Sequence, residues 1–223
     1  MTNRLLDLTR EKPLLADGAM GTMLHARGVA FDKCFDELNL TQPAAVGEIH
    51  RAYIEAGAQL IVTNSFGANR YKLSQHGLEK KVGEINAAGV AIARRVIDAA
   101  VGAGSRLPLL IAGDVGPLGV RLAPFGRVKP EQAYAAFHEQ IAALVEAGAD
   151  AILVETVSDL YEITEAVRAA KAIGTVPVIA SMTFTRDDRT LLGDNPSKVG
   201  AELAKLGADF HNAISVDQVV AKA

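Results

Sequence analysis

Three acidic residues, Asp17, Asp114 and Glu155, each follow a short apolar segment of the chain. A carboxylate in such surroundings is costly to desolvate unless it is paired or bound to a cation. The pattern therefore predicts a site for a cationic group, either a substrate ammonium or a hard metal ion. The alternative is that each acid caps the following helix or accepts hydrogen bonds from loop amides.

Small residues accompany these acids. Gly18 and Gly21 follow Asp17, and Gly116 follows Asp114. Such glycines let a loop backbone approach a ligand closely, so that its amides can bind a carboxylate, although they are also common where a chain merely turns. Thr63 and Ser65 end another apolar segment and are predicted to lie beside the acids.

The histidines and the cysteine give weaker signals. His50, His76 and His138 lie away from the ends of the apolar segments, which predicts surface or packing roles, whereas His25 stays ambiguous. Cys34 has no nearby Cys or His pattern, which indicates an ordinary free thiol rather than a nucleophile.

The apolar segments are short and continuous, as expected for strands that are buried on both faces. They cover residues 14–18, 59–64, 109–114, 151–155 and 176–183, with a sixth expected after Asp209. Helical patterns lie between them, at residues 42–56, 78–100, 129–147, 159–173 and 196–206. This alternation predicts an α/β fold of repeated right-handed βαβ units, with the site at the carboxyl ends of the strands.

Three helix-to-strand turns share one pattern, in which glycine and alanine precede Gln59, Asp150 and Asp209. Each glycine is predicted to end a helix in the left-handed conformation. The fold that these units favour is a parallel (β/α)8 barrel of the TIM type, seen here as about six units instead of eight. A doubly wound open sheet is the alternative, although residues 17–21 lack the glycine pattern of its phosphate turn.

The bulk composition narrows the function. The 223 residues fit one domain, predicted to span 1–223, and 49% of them are hydrophobic, which suffices for a large core. The net charge of -3 gives no reason to expect nucleic acid or an anionic membrane as a partner. No apolar segment approaches about 20 residues, the length of a membrane span. Residues 1–12 lack an apolar signal core, and a single cysteine fits a reducing compartment, so a cytoplasmic location is expected.

Several separated segments resemble the homocysteine S-methyltransferase family. They are LADGAMGT at 15–22, FDELNL at 35–40, TNSFGAN at 63–69, DVGP at 114–117 and VET at 154–156. The resemblance covers about residues 10–209. Within the family it is strongest to bacterial proteins that include fusions to methylenetetrahydrofolate reductase, and to the homocysteine-binding module of cobalamin-dependent methionine synthase.

The resemblance implies transfer of a methyl group to the homocysteine thiolate, which forms methionine. It implies that Glu155 holds the substrate ammonium, that amides of the Asp17–Gly18 turn receive the carboxylate, and that Thr63 and Ser65 line the pocket. It also implies a zinc ion bound by cysteine thiolates, which would activate the substrate sulfur. Methylcobalamin or methyltetrahydrofolate is the implied donor, with S-methylmethionine and betaine as others.

The zinc ligands are where this chain departs from the family pattern. The resemblance implies one cysteine at the end of the sixth strand, near Ser215, and a pair after the eighth, but Cys34 is the chain's one cysteine. Two further hypotheses therefore stand beside the enzyme. One is a catalytically incompetent barrel fragment that associates with itself through open strand edges. The other is a different barrel enzyme that uses a hard divalent metal at Asp17, Asp114 and Glu155.

Overall fold

A parallel sheet forms the centre of the protein. The computed structural model describes residues 4–174 and 176–212, with side chains described as far as residue 209. Five parallel strands lie side by side in chain order. They are β1 Leu60–Val62, β2 Leu110–Val115, β3 Ala151–Val157, β4 Val178–Met182 and β5 Phe210–Asn212. Since every strand pairs with the next one along the chain, the order is that of a β/α barrel, as predicted, and differs from the reversed order of a doubly wound sheet.

Helices alternate with these strands. They are α1 Arg4–Glu11, α2 Met20–Ala26, α3 Leu38–Thr41, α4 Pro43–Glu55, α5 Arg70–Ser74, α6 Val82–Gly102, α7 Pro130–Glu146, α8 Leu160–Ile173 and α9 Pro196–Lys205. The five predicted helices correspond to α4 and α6–α9. α6 begins later than predicted because a 3-10 turn, Glu79–Lys81, precedes it. The other four helices are short and were not predicted.

The main core lies between the sheet and the outer helices. Ile111 and Ile152 of the sheet are fully buried in one hydrophobic cluster with Phe137, Ile141 and Leu144 of α7. The opposite face of the sheet carries a smaller cluster, in which Leu5 of α1 packs with β1, β2 and β3. Every residue of β2 is buried. The prediction of strands buried on both faces is therefore confirmed for the centre of the sheet.

The first predicted strand, residues 14–18, is wrong in its extent. It pairs with β1 through one parallel bridge, Ala16 to Leu60. The ladder stops because the next amide along β1, that of Val62, donates to both carboxylate oxygens of Asp17 at 3.1 Å instead of to a backbone carbonyl. A side chain therefore replaces the main chain at the point where this segment reaches the carboxyl edge of the sheet.

The repeated helix-to-strand turns have a physical basis. Gly57, Gly148 and Gly207 all have positive φ, as predicted. The polar residue two positions later bonds to the preceding strand with both its amide and its side chain. Asp150 does so with Ile111, and Asp209 does so with Val178. The repeated pattern therefore fixes the register of each new strand.

In the part of the chain that the structure describes, no helix combines the length and the apolar character needed to cross a membrane.

Candidate functional site

A cavity of about 520 Å³ opens at the carboxyl ends of the strands. The predicted site residues that line it are Gly21, Thr63, Ser65, Asp114 and Glu155. Asp17 and Gly18 stand just outside the lining, and the next residue, Ala19, belongs to it. The structure therefore brings together residues that lie far apart in the sequence, at the end of the sheet where the sequence places them.

Thr63 and Ser65 form a hydrogen-bonded ring with the backbone of Asp114. The Asp114 amide donates to Thr63 Oγ1 at 3.0 Å, and Ser65 Oγ donates to the Asp114 carbonyl at 2.8 Å. The two hydroxyl oxygens lie 2.6 Å apart, so the Thr63 hydroxyl is left to donate to Ser65 Oγ. Gln140 of α7 closes the arrangement from outside by donating to the Ser65 carbonyl at 2.7 Å. We call this arrangement the hydroxyl ring.

The hydroxyl ring uses its own donors internally. The exposed fraction of Thr63 is 1% and that of Ser65 is 0%. Because both hydroxyl protons are committed to protein acceptors, neither side chain has a proton to donate to a ligand. The main role of the ring is therefore to hold the end of β2, and with it Asp114, in place. It is not to contact a ligand in the cavity.

Unlike the hydroxyl ring, the carboxylates of Asp114 and Glu155 keep unused hydrogen-bonding capacity. Asp114 is buried, yet its Oδ1 atom has no hydrogen-bond partner among the described residues. Burial raises the pKa of Asp114 well above its ordinary value, and the negative charge of Glu155 raises it further. Burial also raises the pKa of Glu155. Two desolvated acids with unused acceptor capacity are suited to a cationic ligand, which would relieve both.

A local irregularity of β3 sets the position of Glu155. Thr156 has φ 60°, a left-handed conformation that a β-branched residue rarely adopts. The pairing of β3 with β4 shifts register between Val154 and Val157, so Glu155 and Thr156 fall inside the irregular segment. Irregular segments of this kind redirect side chains at the rims of barrels.

Asp17 is held from two sides beside the cavity. Its carboxylate accepts the Val62 amide, and its side chain is 2% exposed. Burial raises the pKa of Asp17 to about 7, and the charge of Glu155 contributes in the same direction. A Cβ on Gly18 would lie 3.0 Å from the hydroxyl of Tyr53, which donates to the Ala19 carbonyl. The Asp17–Gly18 turn is therefore packed tightly against α4.

Gly116 has a different role from the predicted one. A Cβ there would lie 2.5 Å from the Phe66 ring and 2.6 Å from the Phe66 carbonyl oxygen. The Gly116 amide donates to that carbonyl at 3.1 Å. The close approach at this glycine is therefore to the protein's own chain and not to a ligand.

Three charged residues of the cavity wall were not predicted, Lys33, Asp36 and Lys72. Asp36 is buried and accepts the Gly67 amide at 3.0 Å, and burial raises its pKa to about 6. Burial also lowers the pKa of Lys72, against the opposing effect of Asp36. Lys72 Nζ lies 4.3 Å from the centre of the Phe66 ring. The FDELNL segment contained Asp36, but nothing local to it indicated a charged site.

His76 and Cys34 also line the cavity. His76 is exposed, in keeping with the predicted surface role, although it lies nearer the site than its distance from the apolar segments suggested. Cys34 is free and buried, as predicted for an ordinary thiol. Burial, with a contribution from the charge of Asp36, raises the pKa of the Cys34 thiol. That direction disfavours the thiolate, which is the form that binds metals or acts as a nucleophile.

The described side chains offer no metal site. Within residues 4–174 and 176–209, no group of three His, Cys, Asp or Glu side chains is arranged to hold a metal ion. The hard-metal alternative at Asp17, Asp114 and Glu155 therefore has no supporting geometry. A zinc site of cysteine thiolates does not fit either, because Cys34 is the one cysteine of the chain. Ser215, near which the resemblance implies a zinc cysteine, lies outside the described residues.

Comparison with known proteins identifies the family. The family model for homocysteine S-methyltransferase matches residues 14–218. This chain belongs to that family. Its relatives include the methionine synthases of Mycobacterium tuberculosis, 35% identical over 220 residues, and of Mycobacterium leprae, 34% identical over the same length. Each match covers 92% of this chain but 18% of the relative, so the chain spans under a fifth of these curated proteins.

Solved members of the homocysteine S-methyltransferase family have the same architecture. The metallated form of the homocysteine methyltransferase MmuM from Escherichia coli is 28% identical and superposes with a TM-score of 0.81. That match covers 92% of this chain and 74% of the solved one. The oxidized form of the same enzyme gives a TM-score of 0.82. The described strands are thus consecutive parallel strands of the barrel that homocysteine methyltransferases adopt.

Proposed function

We propose that this chain is the homocysteine-binding part of an S-methyltransferase that converts homocysteine to methionine. The observation that carries the proposal is the pair of desolvated carboxylates, Asp114 and Glu155, at the mouth of the barrel of a homocysteine S-methyltransferase family member. A buried acid without a partner needs a cation, and homocysteine brings an ammonium group.

Each predicted site residue has a role in this proposal. Glu155 accepts hydrogen bonds from the substrate ammonium, and the Gly18 amide receives the substrate carboxylate, because the Asp17 amide already donates to the Leu60 carbonyl at 3.0 Å. The hydroxyl ring of Thr63 and Ser65 supports the pocket wall by holding the end of β2. An amino acid bound in this way would extend its side chain, with the thiol, away from the acids and into the cavity.

Activation of the thiol needs more than these residues provide. A free thiol ionises near pH 8.5, so most of it is protonated at neutral pH. The family is expected to use zinc for this step, but the one thiol here is buried and has a raised pKa. Zinc and a methylcobalamin or methyltetrahydrofolate donor therefore stay predictions for the whole protein. We derive no chemical step through zinc from this chain.

Calorimetry with homocysteine tests the binding proposal. We expect the parent chain to bind homocysteine, and Glu155→Gln to weaken binding by about a hundredfold, since truncating one partner of a buried charge pair costs roughly 2–5 kcal/mol. The deaminated analogue 4-mercaptobutanoate separates the roles. It should bind weakly to both proteins, because it lacks the group that Glu155 holds.

Glu146→Gln at the exposed end of α7 is the matched control and should bind homocysteine as the parent does. Equal homocysteine affinity of the parent and Glu155→Gln would refute the assignment of Glu155. If magnesium or manganese bound the parent and that binding were lost in Glu155→Gln, the hard-metal alternative would replace it. Formation of methionine, measured with zinc and each candidate donor, tests the whole reaction.

A non-catalytic fragment is the second candidate. It is favoured by the chemistry of Cys34, the one cysteine, whose thiol has a pKa raised by burial. Such a fragment would self-associate through its strand edges. A monomer in sedimentation, together with a sharp thermal transition, would count against it.

The cytoplasmic location stays a prediction from the single cysteine and the ordinary charge.

A further inference from the structure

His50 of α4 is a buried polar side chain that the proposed function leaves unused. It is 0% exposed, and neither of its ring nitrogens has a hydrogen-bond partner among the described residues. Burial lowers the pKa of His50 to about 4. Since almost all buried polar groups in proteins are hydrogen-bonded, an imidazole with two unused nitrogens points to a partner within reach.

The nearest group of complementary chemistry is Asp17. His50 Nδ1 lies 3.9 Å from Asp17 Oδ2, and the two side chains are 0% and 2% exposed. Each Asp17 oxygen already accepts the Val62 amide but keeps a second lone pair. A movement of roughly 1 Å would bring Nδ1 to hydrogen-bond distance. The position of His50 on α4 thus places it directly behind the turn that precedes the cavity.

We propose that His50 is a positioning residue that holds the Asp17–Gly18 turn through a buried hydrogen bond from Nδ1 to the Asp17 carboxylate. The inference rests on the proposed function, because that turn is the segment to which the substrate carboxylate is assigned. The hydrogen bond orients the Asp17 carboxylate toward α4 and so holds the turn whose Gly18 amide is assigned to the substrate carboxylate.

The charges around the turn explain why such a bond matters. Two acids interact electrostatically with Asp17. The charge of Glu155 raises the pKa of Asp17, and the charge of Asp17 raises the pKa of Asp114. Tyr53 packs against the same turn. An additional negative charge at Asp17 would repel the substrate carboxylate. A hydrogen donated by His50 favours the ionised form of Asp17, but it also fixes the Asp17 oxygens on the side away from the cavity, farther from the substrate carboxylate.

Nuclear magnetic resonance of the histidine ring nitrogens tests the pair without any ligand. We expect the His50 Nδ1 signal to be that of a protonated, hydrogen-bonded nitrogen in the full chain. Asp17→Asn should move the His50 ring signals and leave those of exposed His138 unchanged. If the His50 signals do not move in Asp17→Asn, the proposed bond does not exist.

Homocysteine binding tests the consequence. His50→Leu removes the donor and should weaken homocysteine binding about tenfold, the effect expected for loss of one hydrogen bond to a charged group. His50→Asn keeps a donor near the place of Nδ1 and should restore affinity to within about twofold of the parent. Thermal melts confirm that both variants are folded.

The two proposals can fail separately. If His50→Leu is folded and binds homocysteine as tightly as the parent, the positioning role is wrong even though the ring signals report a bond. If the parent binds no homocysteine while Asp17→Asn still moves the His50 signals, the proposed function fails and the buried pair stands.

Discussion

The hydroxyl ring and the carboxylate pair lie against the same cavity but differ in how their polar atoms are satisfied. The Thr63 hydroxyl donates to Ser65, and the Ser65 hydroxyl donates to the Asp114 carbonyl. The side chain of Asp114, in contrast, has a buried oxygen that no described residue contacts by a hydrogen bond. Satisfied polar groups hold a wall in place, whereas unsatisfied ones are available to a ligand. The difference therefore separates residues that build the pocket from residues that use it.

The largest effect that we expect from a substitution is a loss of stability at the wall of the cavity. Gly116→Ala would place a methyl group 2.6 Å from the Phe66 carbonyl and 2.5 Å from its ring, and backbone atoms cannot yield as a flexible side chain does. We expect the free energy of unfolding to fall by about 3 kcal/mol, as in severe overpacking. Urea denaturation measures it. Gly83→Ala, where an added Cβ meets nothing within 4 Å, is the control and should not lower stability.

Thr63→Val breaks the hydroxyl ring at nearly constant volume. It leaves the Asp114 amide without an acceptor in a buried site, so we expect a loss of about 2 kcal/mol in the free energy of unfolding. Thr41→Val, at an exposed position, should change it much less. A Thr63→Val protein as stable as the parent would show that the ring has no structural importance and would remove the basis of the comparison.

Asp114→Asn should act in the opposite direction on stability. Removing the charge relieves its desolvation and its repulsion by Glu155, so we expect a gain of about 1 kcal/mol at pH 8, together with weaker homocysteine binding. Denaturation and calorimetry on the same sample test both. A loss of stability would mean that Lys72 or another cation already compensates Asp114 in the folded protein.

Stability should also depend on pH, with a change that is spread over several pH units. Burial raises the pKa of Asp17 to about 7 and of Asp36 to about 6, from an ordinary 3.8. Between pH 4 and 7 the folded state therefore binds more protons at these groups than the unfolded state. Their contribution lowers the free energy of unfolding as the pH rises through that window, by at most about 1.4 kcal/mol per unit for each carboxyl.

Asp36→Asn isolates one of these groups. An asparagine oxygen can still accept the Gly67 amide, so the variant should fold and show a shallower pH dependence than the parent. Asp32→Asn, on an exposed loop, is the control. Equal slopes in the parent and Asp36→Asn would contradict the raised pKa of Asp36.

Local patterns in the sequence predicted the elements well, because the cause of each is local. Continuous apolar segments become buried strands, and Pro130 begins α7 where proline lacks only an unused amide. The glycines at 57, 148 and 207 adopt the left-handed conformation that ends a helix. The acids that follow apolar segments line or adjoin the cavity because the carboxyl ends of parallel strands meet at one edge.

The remaining features depend on contacts between distant residues. Asp36, in a turn, and Lys72, on α5, join the cavity through packing that no spacing in the sequence indicates. The left-handed Thr156 breaks the usual preference of its residue type, so its sequence argues against the conformation that it adopts. The first strand shortens because one side chain takes over a backbone hydrogen bond, which a pattern of apolar residues cannot show.

The irregular segment of β3 also bears on motion. Pairing with β4 is regular up to Val154 and resumes at Val157, which accepts the Thr183 amide. Glu155 and Thr156 therefore form a short span, anchored at both ends, in an otherwise protected strand. Amide hydrogen exchange should be faster at these two positions than at their neighbours on either side. The residue assigned to the substrate ammonium would thus have local freedom to adjust its reach while the paired strand on either side of it stays in place.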